Sequence, residues 1–175
     1  MKNKVLIKII TGVFVAIIVC FMIRTHILSP IIVYGASMSP TIHDNDRIIV
    51  DKLLYKMDDV ERFEIIVFKA DHTHNYIKRI IGLPGDYIEY RQNELYINGV
   101  QYAEPYLDKN VIKTRDFKLE DVANQYQVPE GSLFVMGDNR EVSKDSRHFG
   151  FISKEDIVGN AKFIFWPDSL VDFFP

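Results

Sequence analysis

Cysteine is almost missing from this chain of 175 residues: Cys20 is the only one, and it sits inside an apolar run. No intrachain disulfide can form, and a thiol nucleophile has no polar setting there in which to work. Basic blocks are missing too. The formal charge is −3 and no cluster of lysine and arginine interrupts the chain, which excludes nucleic acid as a partner. There is no HExxH, no GxSxG, no Walker-type glycine loop and no SxxK of the penicillin-binding kind, so the common metalloprotease, hydrolase and nucleotide sites are excluded. His72 and His74 stand two apart without a third ligand at metal spacing, and they read as a solvated loop. No metal and no cofactor is expected. Repeats and low-complexity segments are also absent.

What is present begins with a long apolar stretch. Val5 to Ile23 reads VLIKIITGVFVAIIVCFMI, which as a helix spans roughly 29 Å, close to the hydrocarbon thickness of a bilayer. Its apolar positions leave no polar face, and Lys8 lies near enough to one end to snorkel to the headgroups. No small-x-small cleavage site follows Ile23, where Arg24-Thr25-His26 stand instead, so an uncleaved single-pass anchor is expected over residues 1–26. Lys2, Lys4 and Lys8 outweigh Arg24, which predicts a cytoplasmic N-terminus and an extracytoplasmic remainder. That remainder, 27–175, is one domain's worth of chain and can bury a core without disulfides or metals.

After Pro30 the pattern turns to short runs of period two or of β-branched residues. They predict strands at Ile31–Tyr34, Arg47–Asp51, Glu64–Lys69, Tyr76–Ile81, Tyr87–Tyr90, Glu94–Ile97, Val100–Tyr102, Leu133–Met136 and Ala161–Trp166. Gly82-Leu83-Pro84-Gly85-Asp86 is a tight turn, and Asn98-Gly99 suits a type I′ turn. The most polar stretch falls within a loop-rich excursion, about 91–130, with a short helix near Leu119–Asn124. Ser153-Lys154-Glu155-Asp156 has the form of a helix start. The expected class is mainly β, with little helix, behind one N-terminal transmembrane helix.

Three stretches carry chemistry. Gly35-Ala36-Ser37-Met38-Ser39-Pro40-Thr41 is an exposed turn by composition, close after the anchor, and it can present the Ser37 hydroxyl; a loop serine can equally satisfy only its own backbone. An activated serine needs a base. His26, His43 and His148 are available, His148 just after an arginine-bearing turn. Lys78 is the other candidate. Period two places it with Tyr76 and Ile80 on an apolar strand face, where desolvation lowers a lysine pKa; on an edge strand it would instead reach water. The third stretch, Gly137 to Arg147, follows a strand and is dense in both charges and small hydroxyls, as a salt-bridged loop would be.

Taken together, GASMSPT at 35–41, DRIIVDKLLY at 46–55, YIKRIIGLPGD at 76–86, GDNREVSKDSRHFG at 137–150 and GFISKEDIVGNAKF near the end resemble the bacterial type I signal peptidases. The resemblance runs through nearly the whole chain and looks like the compact Gram-positive form. It implies a membrane-bound serine endopeptidase with a serine–lysine dyad that removes signal peptides from exported preproteins, with the bilayer and the translocation machinery as further partners. Ser37 then stands at the nucleophile, Lys78 at the general base and Ser143 at a hydroxyl that orients the lysine. Asp145, Arg147, Asp138 and Arg140 match the ionic scaffold, and Ile31, Val33, Met38, Val67 and Ile77 match shallow pockets for small side chains. Aromatic Phe173 and Phe174 are candidates for the lipid interface. Two departures stand out. Some members place an oxyanion-donating serine where this chain has Gly35, and the usual Arg-Gly-Asp reads Arg62-Phe63-Glu64. Two rivals share features of this reading. Self-cleaving repressors use the same dyad but need a DNA-binding domain in place of a membrane span. A tethered binding protein would be expected to lose the serine or the lysine.

Overall fold

In the computed structural model the described residues are 2–52, 60–71, 73–166 and 172–173. His72, residues 53–55 of the stretch at 46–55, and Phe174 lie outside them. The N-terminal run forms α1, Lys2–His26. Its large apolar side chains, from Val5 to Met22, are exposed on every side. Among the described residues no helix is long and apolar enough to cross a membrane.

Strands follow in the order β1 (Leu28–Ile32), β2 (Arg47–Asp51), β3 (Ile65–Lys69), β4 (Asn75–Gly82), β5 (Ile88–Arg91), β6 (Glu94–Ile97), β7 (Val100–Tyr102) and β8 (Phe117–Lys118). After them come α2 (Leu119–Ala123), β9 (Ser132–Met136), α3 (Ser146–Phe149), β10 (Ile152–Ser153), a single 3-10 turn at Lys154–Asp156, β11 (Ile157–Trp166) and β12 (Asp172–Phe173). The larger sheet has the order β1-β2-β11-β3-β4-β9-β10, with β12 added to β11, and the smaller is β7-β6-β5-β8. The fold is mainly β, as expected.

Both faces of the central strands are covered, so they read as continuous apolar runs. In β3, Ile65 and Val67 face one core cluster with Val33, Met38 and Ile48, while Ile66 and Phe68 face another with Ile80, Leu133 and Val135. Adjacent in β4, Ile80 joins that second cluster and Ile81 a third, where Tyr90, Leu95 and Phe134 join the two sheets. The smaller sheet is the excursion, docked by its apolar face.

Several boundaries differ from expectation. Strand β1 begins earlier and contains Pro30, paired with Ile49; as an edge strand it has a side on which the missing N–H faces no partner. Strand β11 starts at Ile157, before the expected Ala161, because Gly159 and Asn160, poor strand formers, still pair with Val67 and Ile66. The turn at Ser153 is one 3-10 turn, its hydroxyl accepting from the Glu155 N–H at 3.2 Å, and β11 ends it. Helix α3 and strands β8, β10 and β12 had no periodic signal, being two to four residues long. At the departure Arg62-Phe63-Glu64 the turn is kept. Phe63 adopts φ 71 and its ring packs 5.9 Å from that of Tyr106, contacts that offset roughly 1 kcal/mol of left-handed strain.

Candidate active site

The turn carrying Ser37 leaves β1 and is fixed at both ends. Val33 donates to Asp46 O at 2.8 Å and accepts from the Asn45 N–H at 2.9 Å, while Met38 and Ile42 are buried in the first core cluster. Gly35 has φ +92, a conformation costly for any residue with a Cβ. Its N–H donates to Asp44 Oδ1 at 2.7 Å, so the Gly35 amide is occupied. The catalytic loop grips the same turn: Asn139 donates from its backbone to Ser37 O at 3.1 Å and from its side chain to Ala36 O at 3.0 Å.

Lys78 lies in β4 and is only 3% exposed. Its Nζ stands 2.8 Å from Ser37 Oγ and 2.9 Å from the carbonyl of Ile77, with the Tyr76 ring centre 5.3 Å away. Burial depresses its pKa from 10.5 to about 8, against an opposing pull from Asp145 and Asp138. At that value a fair fraction of the amine is neutral near pH 8, and the 2.8 Å contact then runs from Oγ–H to Nζ.

Beneath the pair lies a charged frame. Arg79, next to Lys78 on the opposite face of β4, holds Asp138 through two bonds, Nε to Oδ1 at 2.9 Å and Nη2 to Oδ2 at 2.7 Å. Thr41 of the serine turn donates to the same carboxylate at 2.5 Å. Arg140 donates to Gly137 O at 3.1 Å, to Glu104 Oε1 at 2.7 Å and to the Tyr90 hydroxyl. Burial works against the Arg140 charge, but Tyr90 and Glu104 hold its pKa above the ordinary value. Asp145 pairs with Arg147 and accepts from the Gly137 N–H at 3.0 Å. It also caps α3. Burial opposes its charge, yet Arg147 keeps its carboxyl below the usual range. Gly137 is where this frame meets the serine turn: a Cβ there would lie 2.2 Å from Ser143 Oγ and 2.3 Å from Ser37 O.

All the expected polar residues therefore converge, with one difference of contact. The Ser143 hydroxyl is buried, turned against Gly137 and toward the Asp145 carboxylate, whose charge it helps hold, and the second partner of Lys78 is its neighbour's carbonyl. Sequence reasoning missed Arg79, Glu104, Thr41, Asn139 and Asp44. A signal existed for Arg79, a charge in the middle of an apolar strand that needs a buried counter-ion. None existed for Glu104, which reaches Arg140 from the excursion. His148 is exposed, its Nδ1 3.9 Å from Asp145, and His74 pairs with Asp71. Among the described residues no three of histidine, cysteine, aspartate and glutamate are grouped to hold a metal ion.

A cavity of about 660 Å³ opens over Ser37 and Lys78, lined among others by Ile31, Val33, Met38 and Ile77. Val67, expected with them, is instead 1% exposed in the core cluster behind. On β3 it lies directly across from Ile77 and shares its face, covered by Ile31 and Ile77, which pack over that cluster.

The profile of the family described as "Signal peptidase, peptidase S26" matches residues 6–166. A signal peptidase I of Bacillus caldolyticus is 46% identical over 160 residues, covering 88% of each chain. A signal peptidase IB of Staphylococcus aureus is 40% identical over 177 residues, 95% of this chain and 93% of that one. Among solved structures, a signal peptidase I from Enterococcus faecalis is 42% identical and superposes with a TM-score of 0.55, covering 59% of this chain and 97% of that chain.

Proposed function

The chain belongs to the S26 family of signal peptidases, and from that premise we propose that Ser37 and Lys78 form the serine–lysine dyad with which it works. It is a serine endopeptidase that removes signal peptides from preproteins. The observation that carries the site assignment is the 2.8 Å contact between Ser37 Oγ and a Lys78 ammonium group buried out of water.

Neutral Lys78 takes the proton as Ser37 Oγ attacks the scissile carbonyl. The oxyanion that develops lies beside the Ser37 N–H, because the Gly35 N–H is held by Asp44. The lysine ammonium returns its proton to the leaving amine, and the neutral amine then activates a water to release the acyl group. Arg79, Asp138, Thr41, Arg140, Asp145 and Arg147 keep the serine turn and the strand of Lys78 in register. Ser143 orients the Lys78 ammonium when the proton arrives. Ile31, Val33, Met38 and Ile77 receive small side chains ahead of the cut; Val67 supports them from the core. No step calls for a cofactor.

Residues 1–26 are read as a single-pass anchor, with the N-terminus cytoplasmic and 27–175 as the extracytoplasmic catalytic domain. Support comes from the exposure of large apolar side chains all around α1, which water does not favour, and from the excess of lysine at its start. Anchoring confines the enzyme to preproteins already in the bilayer and raises their effective concentration. Delivery by the translocation machinery fits that geometry.

The test is cleavage of a preprotein by the detergent-solubilised full chain. Ser37→Ala and Lys78→Ala are each expected to abolish it with the fold intact by circular dichroism. Near-normal turnover by Lys78→Ala would falsify the assignment of the base.

A further inference from the structure

Besides the cavity over the dyad, the fold has a second hollow of about 380 Å³ between the β3–β4 hairpin and the segment from Phe149 to Asp156. The two adjoin: Tyr76 and Lys144 line both. Its floor is aromatic: the rings of Phe68, Tyr76 and Phe149 stand 6.2 to 6.5 Å apart, centre to centre. Its rim carries Lys69, Lys144, Asp71 and Asp156. Two charges of each sign leave no net charge to select an occupant, so the floor decides.

Phe149 is 38% exposed although its neighbour Phe68 is 2% exposed. Among the described residues outside α1, seven large apolar side chains are exposed, and four of them lie around these two adjoining hollows, Ile32, Tyr34 and Val142 at the first and Phe149 at the second. Open apolar surface concentrated in one place marks a binding site. The Tyr76 ring, which lines this second hollow, has its centre 5.3 Å from the Lys78 Nζ.

We propose that the hollow floored by Phe68, Tyr76 and Phe149 is a specificity subsite of the peptidase, taking one large apolar side chain of the preprotein a few residues from the scissile bond. This rests on the peptidase reading given above. A substrate stretched over Ser37 and on past Tyr76 reaches this hollow, which adjoins the cavity over the dyad. The small-residue pockets select at the cut itself; this one selects at a distance from it, for an aromatic or long aliphatic side chain.

The experiment uses the full chain in detergent micelles and soluble peptides with a small-x-small cleavage sequence. One phenylalanine is walked through alanine flanks on both sides of the cut. At one position kcat/KM rises about tenfold over alanine, mainly through KM, as filling an apolar pocket does. In Phe149→Ala the ratio of the two peptides collapses toward one, and in Phe149→Leu, which keeps apolar packing, it falls between. No responsive position, or a ratio that survives in Phe149→Ala, overturns the subsite. So does an equal loss for both peptides, since that is a structural role, or a dependence on Phe149 that emerges only with added phospholipid vesicles, since that is lipid contact. If the parent enzyme cleaves none of the peptides, or Ser37→Ala cleaves them as well as the parent does, the peptidase reading itself falls, and the subsite with it.

Discussion

Replacing Lys78 by methionine should destroy catalysis and, at neutral pH, stabilise the protein. The lysine is 3% exposed and its pKa is lowered from 10.5 to about 8 by burial. Below pH 8 the folded protein carries a buried ammonium group, and each unit of depression costs about 1.4 kcal/mol, so the full cost is about 3 kcal/mol. As pH rises from about 8 toward 10.5 the unfolded chain binds more protons than the folded one, and folding stability returns. Methionine keeps the length and the apolar stem and has no such cost at any pH. It loses the contacts of Nζ with Ser37 Oγ and the Ile77 carbonyl, each worth ~1 kcal/mol and independent of pH once the amine is neutral. The secure quantity is therefore the change with pH. The stability difference between Lys78→Met and the parent, read by urea unfolding in the same micelles, should move by about 2 kcal/mol in favour of the parent between pH 7 and pH 9.5. Taking the difference cancels the other groups that titrate in that range. A difference that stays flat across the range refutes the depressed pKa, and with it the reason for calling Lys78 a base.

The same group sets the pH dependence of turnover: kcat/KM should rise through an apparent pKa near 8 and gain roughly tenfold from pH 7 to 9, whereas a limb near 6.5 would shift attention to a histidine. Gly35→Ser has open space for its Cβ but a φ of +92, so stability should fall by at least about 1 kcal/mol while kcat rises several-fold if the hydroxyl reaches the oxyanion; an unchanged kcat would mean the hole already has its second donor. Glu104→Gln leaves the fully buried Arg140 without its counter-charge and should cost about 3–5 kcal/mol in urea unfolding. A loss below ~1 kcal/mol would take Glu104 out of the frame.

The strand core was legible because its residues have a period. Arg47–Asp51, Glu94–Ile97 and Val100–Tyr102 lie where the pattern puts them, and the Asn98-Gly99 turn has positive φ at both residues. Strand β1 was misjudged because a proline was read as a boundary, and only the sheet order reveals that the strand lies at an edge. At the site, Ser37 and Lys78 were legible as types in a pattern. Their partners were not. Arg79 pairs with Asp138 across 59 positions and Arg140 with Glu104 across 36, and no local rule links residues so far apart. Val67 was assigned to the pockets by resemblance; it shares a face with Ile77, and whether it reaches the cavity depends on what packs over it, which no local pattern records.

The frame around Ser37 also has a consequence in time. Thr41 waits 97 positions for Asp138, and Ala36 waits 103 for Asn139. Contacts of that separation form late, since a long loop must close before they return any free energy. A chain made from the N-terminus onward thus has Ser37 and Lys78 well before it has the segment that holds them together. Until the segment after β9 arrives, it is a protease in composition only. Activity is the last property this fold acquires.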